Sequence, residues 1–532
     1  MGTAEWFDSA VPILLSIAFP PDGFTQPAAI HRKEARTAMT TSTLPLPRDF
    51  GDRFSPILVK ELRQGLRTRF FTIALLLFHS FIILLLATVT LGTPVEVVNG
   101  VFWGIAGLML LVVLPLRAFN ALNAEAADGT LDMLTLTSIS SFRILHGKWV
   151  ALFSQSVLMA GSLLPYMVAR YFFGGVEILR EAVALLVLVL GSGIMTAALL
   201  AFSSQASVIL RLLLLAGVGF GAVPLGVFTA FLVSSSQADM VLREFFALAG
   251  WEQWSIILGV LALSVYTIWY FLALGSSRIA PPSENHSTRK RVIAFGAHAA
   301  LMIIGLLLCY LSSDAENAAW ALVPLLGLTL IACMDVMTEE MPRFPTTVAA
   351  LARRGRFGSL AGRLLHPGWA SGVLFSAVLC VMTMMVFVGI AHQENSWRGD
   401  TGPCLFFLCF FLATFTPVLV RINRTNIFAN WWAVQLCMVA AGILLSMFCE
   451  VMRARDFAML GVLTPVTTLF GTESIGYQSR GRVLIPGSIF SVVWLIAALI
   501  RARMHFADYT RLEHAALTLA DNSSHRANDV AQ

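Results

Sequence analysis

The chain has 532 residues, 57% of them hydrophobic and only 13% charged, with a formal net charge of +5. Soluble domains carry roughly 25% charged residues, so this composition excludes an ordinary soluble domain. Apolar runs of about 18 or more residues recur along the chain, each long enough to cross a hydrocarbon core of about 30 Å as a helix. The runs lack the short alternation of a membrane β-barrel, and in lipid the backbone must satisfy its own hydrogen bonds. The expected fold is therefore an all-α polytopic membrane protein.

Residues 1–53 are unlike the rest. The apolar run 11–18 is too short to span, and Glu5 and Asp8 precede it where a signal peptide needs basic residues. Pro20, Pro21, Pro27, Pro45 and Pro47 oppose regular structure. A disordered tail is expected here, with Met39 a candidate true start.

Next comes FSPILVKELRQGLRTR, residues 54–69. Ile57, Leu58, Leu62 and Leu66 recur at helical spacing while Lys60, Glu61, Arg63, Arg67 and Arg69 occupy other faces. The pattern predicts a basic amphipathic helix lying in the headgroup plane before the first span.

About twelve spans follow from the hydropathy: 70–91, 98–119, 149–173, 182–203, 208–233 and 255–274, then 292–311, 318–334, 369–391, 404–420, 431–452 and 483–500. Alternate loops carry the cations. One set holds Arg117, Arg143 and Lys148, then Arg211, then Arg278, Arg289, Lys290 and Arg291, then Arg343, Arg353, Arg354, Arg356 and Arg363, then Arg421 and Arg424, then Arg501 and Arg503. The intervening loops are acidic or balanced. By the positive-inside rule both termini are expected in the cytoplasm. The linker RIAPPSENHSTRKR separates two sets of six spans, giving the expected division 54–280, linker 281–291, 292–503 and a cytoplasmic tail 504–532. A second basic amphipathic segment, RRGRFGSLAGRLL, lies in the loop 338–366. Its expected role is a solvated, lipid-facing loop, with partner docking as the alternative.

Sites for chemistry are scarce. Within spans, ionisable residues mark function because they are costly to bury; His79 reads as structural and Asp335 as interfacial. No HExxH, GxSxG or GxxxxGK[ST] motif occurs, so no zinc protease, serine hydrolase or nucleotide site is expected. The seven cysteines form no CxxC pair and read as packing residues. In the fifth span, Gly217, Gly219, Gly221 and Pro224 suit close packing or a moving gate.

The longest polar interruption in the first half is the stretch 125–149, EAADGTLDMLTLTSISSFRILHGKW. Together with Pro56-Ile57-Leu58-Val59-Lys60-Glu61-Leu62, its Glu125, Gly129-Thr130-Leu131-Asp132-Met133-Leu134, Thr137-Ser138-Ile139-Ser140, Ile144-Leu145 and Gly147-Lys148 resemble permease subunits of ABC transporters of the ABC-2 type. Ser138 stands where that pattern has proline and Asp132 where it has glutamate. The resemblance covers about residues 54–275 and leaves the second six spans unassigned.

The resemblance implies a coupling segment seated in a groove of a separate ATPase subunit. Leu131, Leu134, Leu136 and Ile139 would fill the groove, Glu125, Asp128, Arg143 and Lys148 would pair with charges at its rim, and Gly129 and Thr130 would belong to the same segment. Pro56, Lys60, Glu61 and Arg63 would belong to the interfacial helix. It further implies ATP and Mg2+ on the partner rather than on this chain, a homodimer or heterodimer of permeases in a bacterial cytoplasmic membrane, and no nucleic-acid partner. A twelve-span secondary carrier and a non-transporting scaffold are the competing readings.

Overall fold

A computed structural model describes residues 56–122, 140–173, 177–203, 222, 225–230, 251–311, 315–393, 411, 413–420, 427–452 and 481–531. The described residues are helical, with no strand among them, and belong to one compact unit, Ser55–Gln532. Nine helices among them are long and apolar enough to cross a membrane: Arg69–Thr90, Val97–Asn120, Ser141–Phe172, Ile178–Phe202, Ile257–Ile279, Ser287–Leu307, Trp369–Gly389, Ile427–Cys449 and Ile485–Asn522. The chain is an all-α multi-pass membrane protein. Of the expected spans, 208–233 falls largely outside the described residues and 404–420 is described only at 411 and 413–420. The span expected at 318–334 lies in a helix containing Pro324, of which Pro324–Met337 is the apolar part.

Helix α1, Pro56–Leu66, starts with proline at the position where the missing N–H costs nothing. It leads into α2, Arg69–Thr90, which Gly92 closes at φ +91°, a conformation that favours glycine. Helix α3, Val95–Leu108, widens into a π turn at Met109–Val113 and tightens into a 3-10 turn at Pro115–Asn120. Pro115 explains the break, because its ring displaces the carbonyl four residues back and it has no N–H to donate. Then come α4, Ser141–Phe173; α5, Ile178–Phe202; α6, Trp251–Ile279; α7, Ser287–Leu311; and α8, Ala315–Met337. The short helix α9, Gly355–Leu365, precedes α10, Trp369–Gln393. Helices α11, Ile427–Val451; α12, Gly481–Met504; and α13, Phe506–Ala531, complete the chain.

Three apolar clusters hold these helices. Phe78, Ile82, Phe102, Leu110, Leu163 and Leu188 join α2 to α5. Leu122, Leu145, Leu200, Leu274, Phe428 and Trp431 join the end of α3 with α4, α5, α6 and α11. Tyr270, Val336, Phe375, Leu379, Ala498 and Tyr509 join α6, α8, α10, α12 and α13. Helix α6 contributes to the last two, so it ties the first set of spans to the second. Small residues set the closest crossings, as expected where helices associate through close packing in lipid. A methyl on Gly275 of α6 would lie 2.8 Å from the Ala201 Cα of α5, and one on Gly372 of α10 would strike the backbone of Val336 in α8.

Candidate functional site

The first feature to build is the foot of α4, where two of the motif-bearing segments meet. Glu61 and Gly65 stand four residues apart and so share one face of α1, which packs against α4. Lys148 Nζ of α4 lies 3.0 Å from Glu61 Oε1, with the lysine 4% exposed. Gly65 admits the Gln155 side chain, which would collide with any Cβ there. Arg117, in the 3-10 turn that ends the second span, donates to Gln155 Oε1 and stacks 5.6 Å from the Phe70 ring centroid. Three elements therefore converge on one polar knot. Lys60, Arg63 and Arg143 remain exposed.

The rest of the expected coupling segment, Glu125, Asp128, Gly129, Thr130, Leu131, Leu134, Leu136 and Ile139, lies outside the described residues, as do Gly217, Gly219, Gly221 and Pro224. The ends flanking the coupling segment are firmly packed: Leu122 on one side and Ile144 and Leu145 on the other are fully buried. Pro56 occupies the first position of α1.

A second feature was not expected. Around the start of α7 and the end of α8 lies a buried ionic cluster. Lys290 Nζ sits 2.6 Å from Asp335 Oδ2 and 2.9 Å from Glu339 Oε1; Arg291 Nη2 sits 2.6 Å from Glu339 Oε2. Tyr270 of α6 donates its hydroxyl to Asp335 at 3.1 Å, and the Gly368 N–H donates to Glu339 at 3.1 Å. Ser287 Oγ lies 2.8 Å from both Glu339 oxygens. Arg291 also donates to the carbonyls of Leu364 and Gly368 and to Ser371.

Gly368, at φ +118°, supplies a backbone turn that side-chain-bearing residues rarely adopt. Two cations and two carboxylates, nearly dry, pair in this arrangement, with Arg278 4.0 Å from the second Asp335 oxygen. Burying them separately would cost several kcal/mol per ion.

The cluster shapes the titration of groups around it. Burial pushes the Glu339 carboxyl up, but Lys290 and Arg291 outweigh burial and hold it below the usual carboxylate range. Burial, with the Arg291 charge second, lowers His366 from 6.5 to about 4. The His366 ring stacks on Tyr509 of α13, and Glu513 Oε1 stands 3.8 Å away. A basic group with a depressed folded pKa stays neutral while the unfolded chain gains a proton, so stability falls as pH drops from about 6.5 to about 4. That difference corresponds to about 3 kcal/mol, and Glu339 adds to the loss in the acidic part of the range. His366→Gln is expected to flatten the fall between neutral pH and about 5, read by thermal unfolding of the purified protein. An unchanged slope would remove His366 from this account.

A cavity of about 270 Å³ adjoins the cluster, lined by Arg278, His286, Glu339, Glu340, Arg343 and Pro367 among others. Glu339 faces it with both oxygens already occupied, and among the described residues no three His, Cys, Asp or Glu side chains are grouped to hold a metal. Arg278 donates to Thr338 Oγ1 at 2.6 Å and stacks 4.6 Å from the Phe428 centroid, which again binds the end of α6 to the second set of spans.

A third feature lies at the opposite ends of α3, α4 and α5. Arg170 Nη2 pairs with Glu181 Oε1 at 2.8 Å, both 2% exposed. Trp103 donates to the same carboxylate at 3.3 Å, Asn99 accepts from Arg170, and the guanidinium stands 4.1 Å from the Phe102 centroid.

Sequence reasoning missed both buried clusters. Asp335, expected at an interface, is fully buried, because α6 and α7 cover it with Tyr270 and Lys290. Glu181 precedes the span expected at 182–203, but it occupies the first turn of α5 and is buried against Arg170. A signal was present: complementary charges stand at the same ends of consecutive apolar runs, where charge is expensive unless paired. His79 is structural as expected. Its Nδ1 donates to the Leu75 carbonyl at 2.8 Å, and its ring meets Phe78 and Tyr166 edge-on. No family model, curated protein or solved structure matches the chain.

Proposed function

We propose that this chain is the membrane subunit of an ATP-driven exporter of the ABC-2 type, with twelve spans and both termini in the cytoplasm of a bacterium. A separate ATPase subunit carries ATP and Mg2+, and a second permease, identical or related, completes the pathway. The observation that carries this reading is the Glu61–Lys148 ion pair. It joins the Lys-Glu-Leu helix to the Gly-Lys foot of α4, which directly follows the transmission segment in sequence. A push on residues 125–139 would thus be felt by α1, α3 and α4 together. The ATPase works by population shift: it favours one membrane arrangement only as far as it binds that arrangement better.

The test is purification of the full chain with its ATPase, read as complex yield and stimulated ATP hydrolysis. Leu131→Asp with Leu134→Asp is expected to abolish association. Lys148→Glu, which sets two carboxylates together, is expected to cut stimulation by roughly tenfold, the effect of about 1.4 kcal/mol of lost coupling. Glu61→Lys in the same chain is expected to restore it. Full association and stimulation in the Leu131/Leu134 variant would end the proposal.

The buried Asp335 and Glu181 favour a second reading, an ion-coupled carrier, since intramembrane carboxylates are what such a carrier needs. Transport that survives removal of ATP but stops on collapse of the ion gradient would select it.

A further inference from the structure

Helix α9 takes no part in the proposed coupling, and its two faces differ sharply. The inner face is locked. Gly358 and Gly362 are buried against Leu351 and His366, Ser359 donates to Glu513 at 2.7 Å, and the carbonyls of Leu364 and Leu365 accept from Arg291 and Thr288.

The outer face presents Phe357 at 83% and Leu360 at 66% exposure, one turn apart. Arg353, Arg354, Arg356 and Arg363 surround them, all exposed. Residues 344–366 contain no aspartate or glutamate. A large aromatic and a leucine ringed by cations suit a helix lying at the boundary between headgroups and acyl chains.

The position of α9 agrees with that chemistry. It ends four residues before Trp369, where the span Trp369–Gly389 begins. It also packs beside α7, whose Val292 and Phe295 are exposed apolar residues near the start of the span Ser287–Leu307. The helix is therefore tethered where a bilayer's hydrocarbon meets its phosphates.

We propose that α9 is an anionic-lipid contact: Phe357 and Leu360 enter the bilayer boundary while Arg353, Arg354, Arg356 and Arg363 hold the phosphates of acidic phospholipids. Its rigid seat on Arg291 and Glu513 keeps the arginines level with those headgroups. The inference stands whether or not an ATPase drives the chain.

The test uses the full chain in nanodiscs of phosphatidylcholine alone or with about one third phosphatidylglycerol. An environment-sensitive fluorophore is placed on Phe357→Cys, and protein without that substitution, treated identically, serves as the blank. The expected result is blue-shifted emission, quenched by nitroxide-bearing lipid, in the acidic discs and much less in the neutral ones. Each arginine near an anionic surface contributes roughly a fivefold preference, so Arg353→Gln, Arg354→Gln and Arg356→Gln together are expected to erase most of the difference. All three positions are exposed, and an unchanged elution profile confirms folding. A label equally dry in both discs, a label wet in both, or a triple variant that keeps the full difference would each overturn the proposal. Shielding that arises only when a soluble protein is added would assign the face to a protein partner and overturn it as well.

Discussion

Glu339→Gln is expected to destabilise the purified protein by about 3–5 kcal/mol, the cost of leaving a buried cation without its counter-charge. Glutamine keeps the shape and can still accept from Ser287 and Gly368, so the loss isolates the charge. Arg291, fully buried and 2.6 Å from Glu339, has no second carboxylate among its observed partners. Lys290 retains Asp335 at 2.6 Å and suffers less. Arg291→Met in the wild-type background is expected to cost a similar amount.

The double variant Arg291→Met with Glu339→Leu removes both charges, and it is expected to recover much of what either single change loses. Replacing a whole buried pair with apolar groups is often neutral. Chemical denaturation or thermal unfolding of the wild type, Arg291→Met, Glu339→Leu and the double variant closes the cycle. Strict additivity of the two single losses would show that the pair does not act as a unit.

Gly372→Ala is the second large effect. The hydrogen it replaces points at the Val336 carbonyl of α8, and backbone cannot swing aside as a side chain can. Helices α8 and α10 would have to separate, disturbing Ser371, which accepts from Arg291 at 2.9 Å. Overpacking of this kind costs about 1–3 kcal/mol and occasionally more. Gly296→Ala on α7 is the control, since a methyl there meets open space. Equal melting temperatures for the two variants would show that the close crossing yields freely.

The elements that were legible in the sequence are those in which the signal is local. Hydropathy alone locates α2, α5 and α10, because a lipid-crossing helix must be apolar for its full length. Helix α1 shows itself through Ile57, Leu58, Leu62 and Leu66 at helical spacing. The buried clusters were not legible because their meaning depends on neighbours far along the chain. Lys290 and Arg291 read as loop cations, and as such they helped to orient the protein. In the structure they occupy the first turn of α7 and turn inward. A linear profile cannot separate a cation facing water from one facing a carboxylate 45 or 48 residues away. The Glu61–Lys148 contact was half-legible: both residues belong to the motifs, but nothing in the spacing pairs them.

The separation of those charges in sequence also bears on how the chain is made. Synthesis delivers Lys290 and Arg291 before Asp335 and Glu339, so α7 reaches the bilayer carrying two cations whose partners have not yet left the ribosome. Until α8 arrives, the first turn of α7 is held towards water. A fragment ending between Arg291 and Asp335 keeps both cations without their carboxylates.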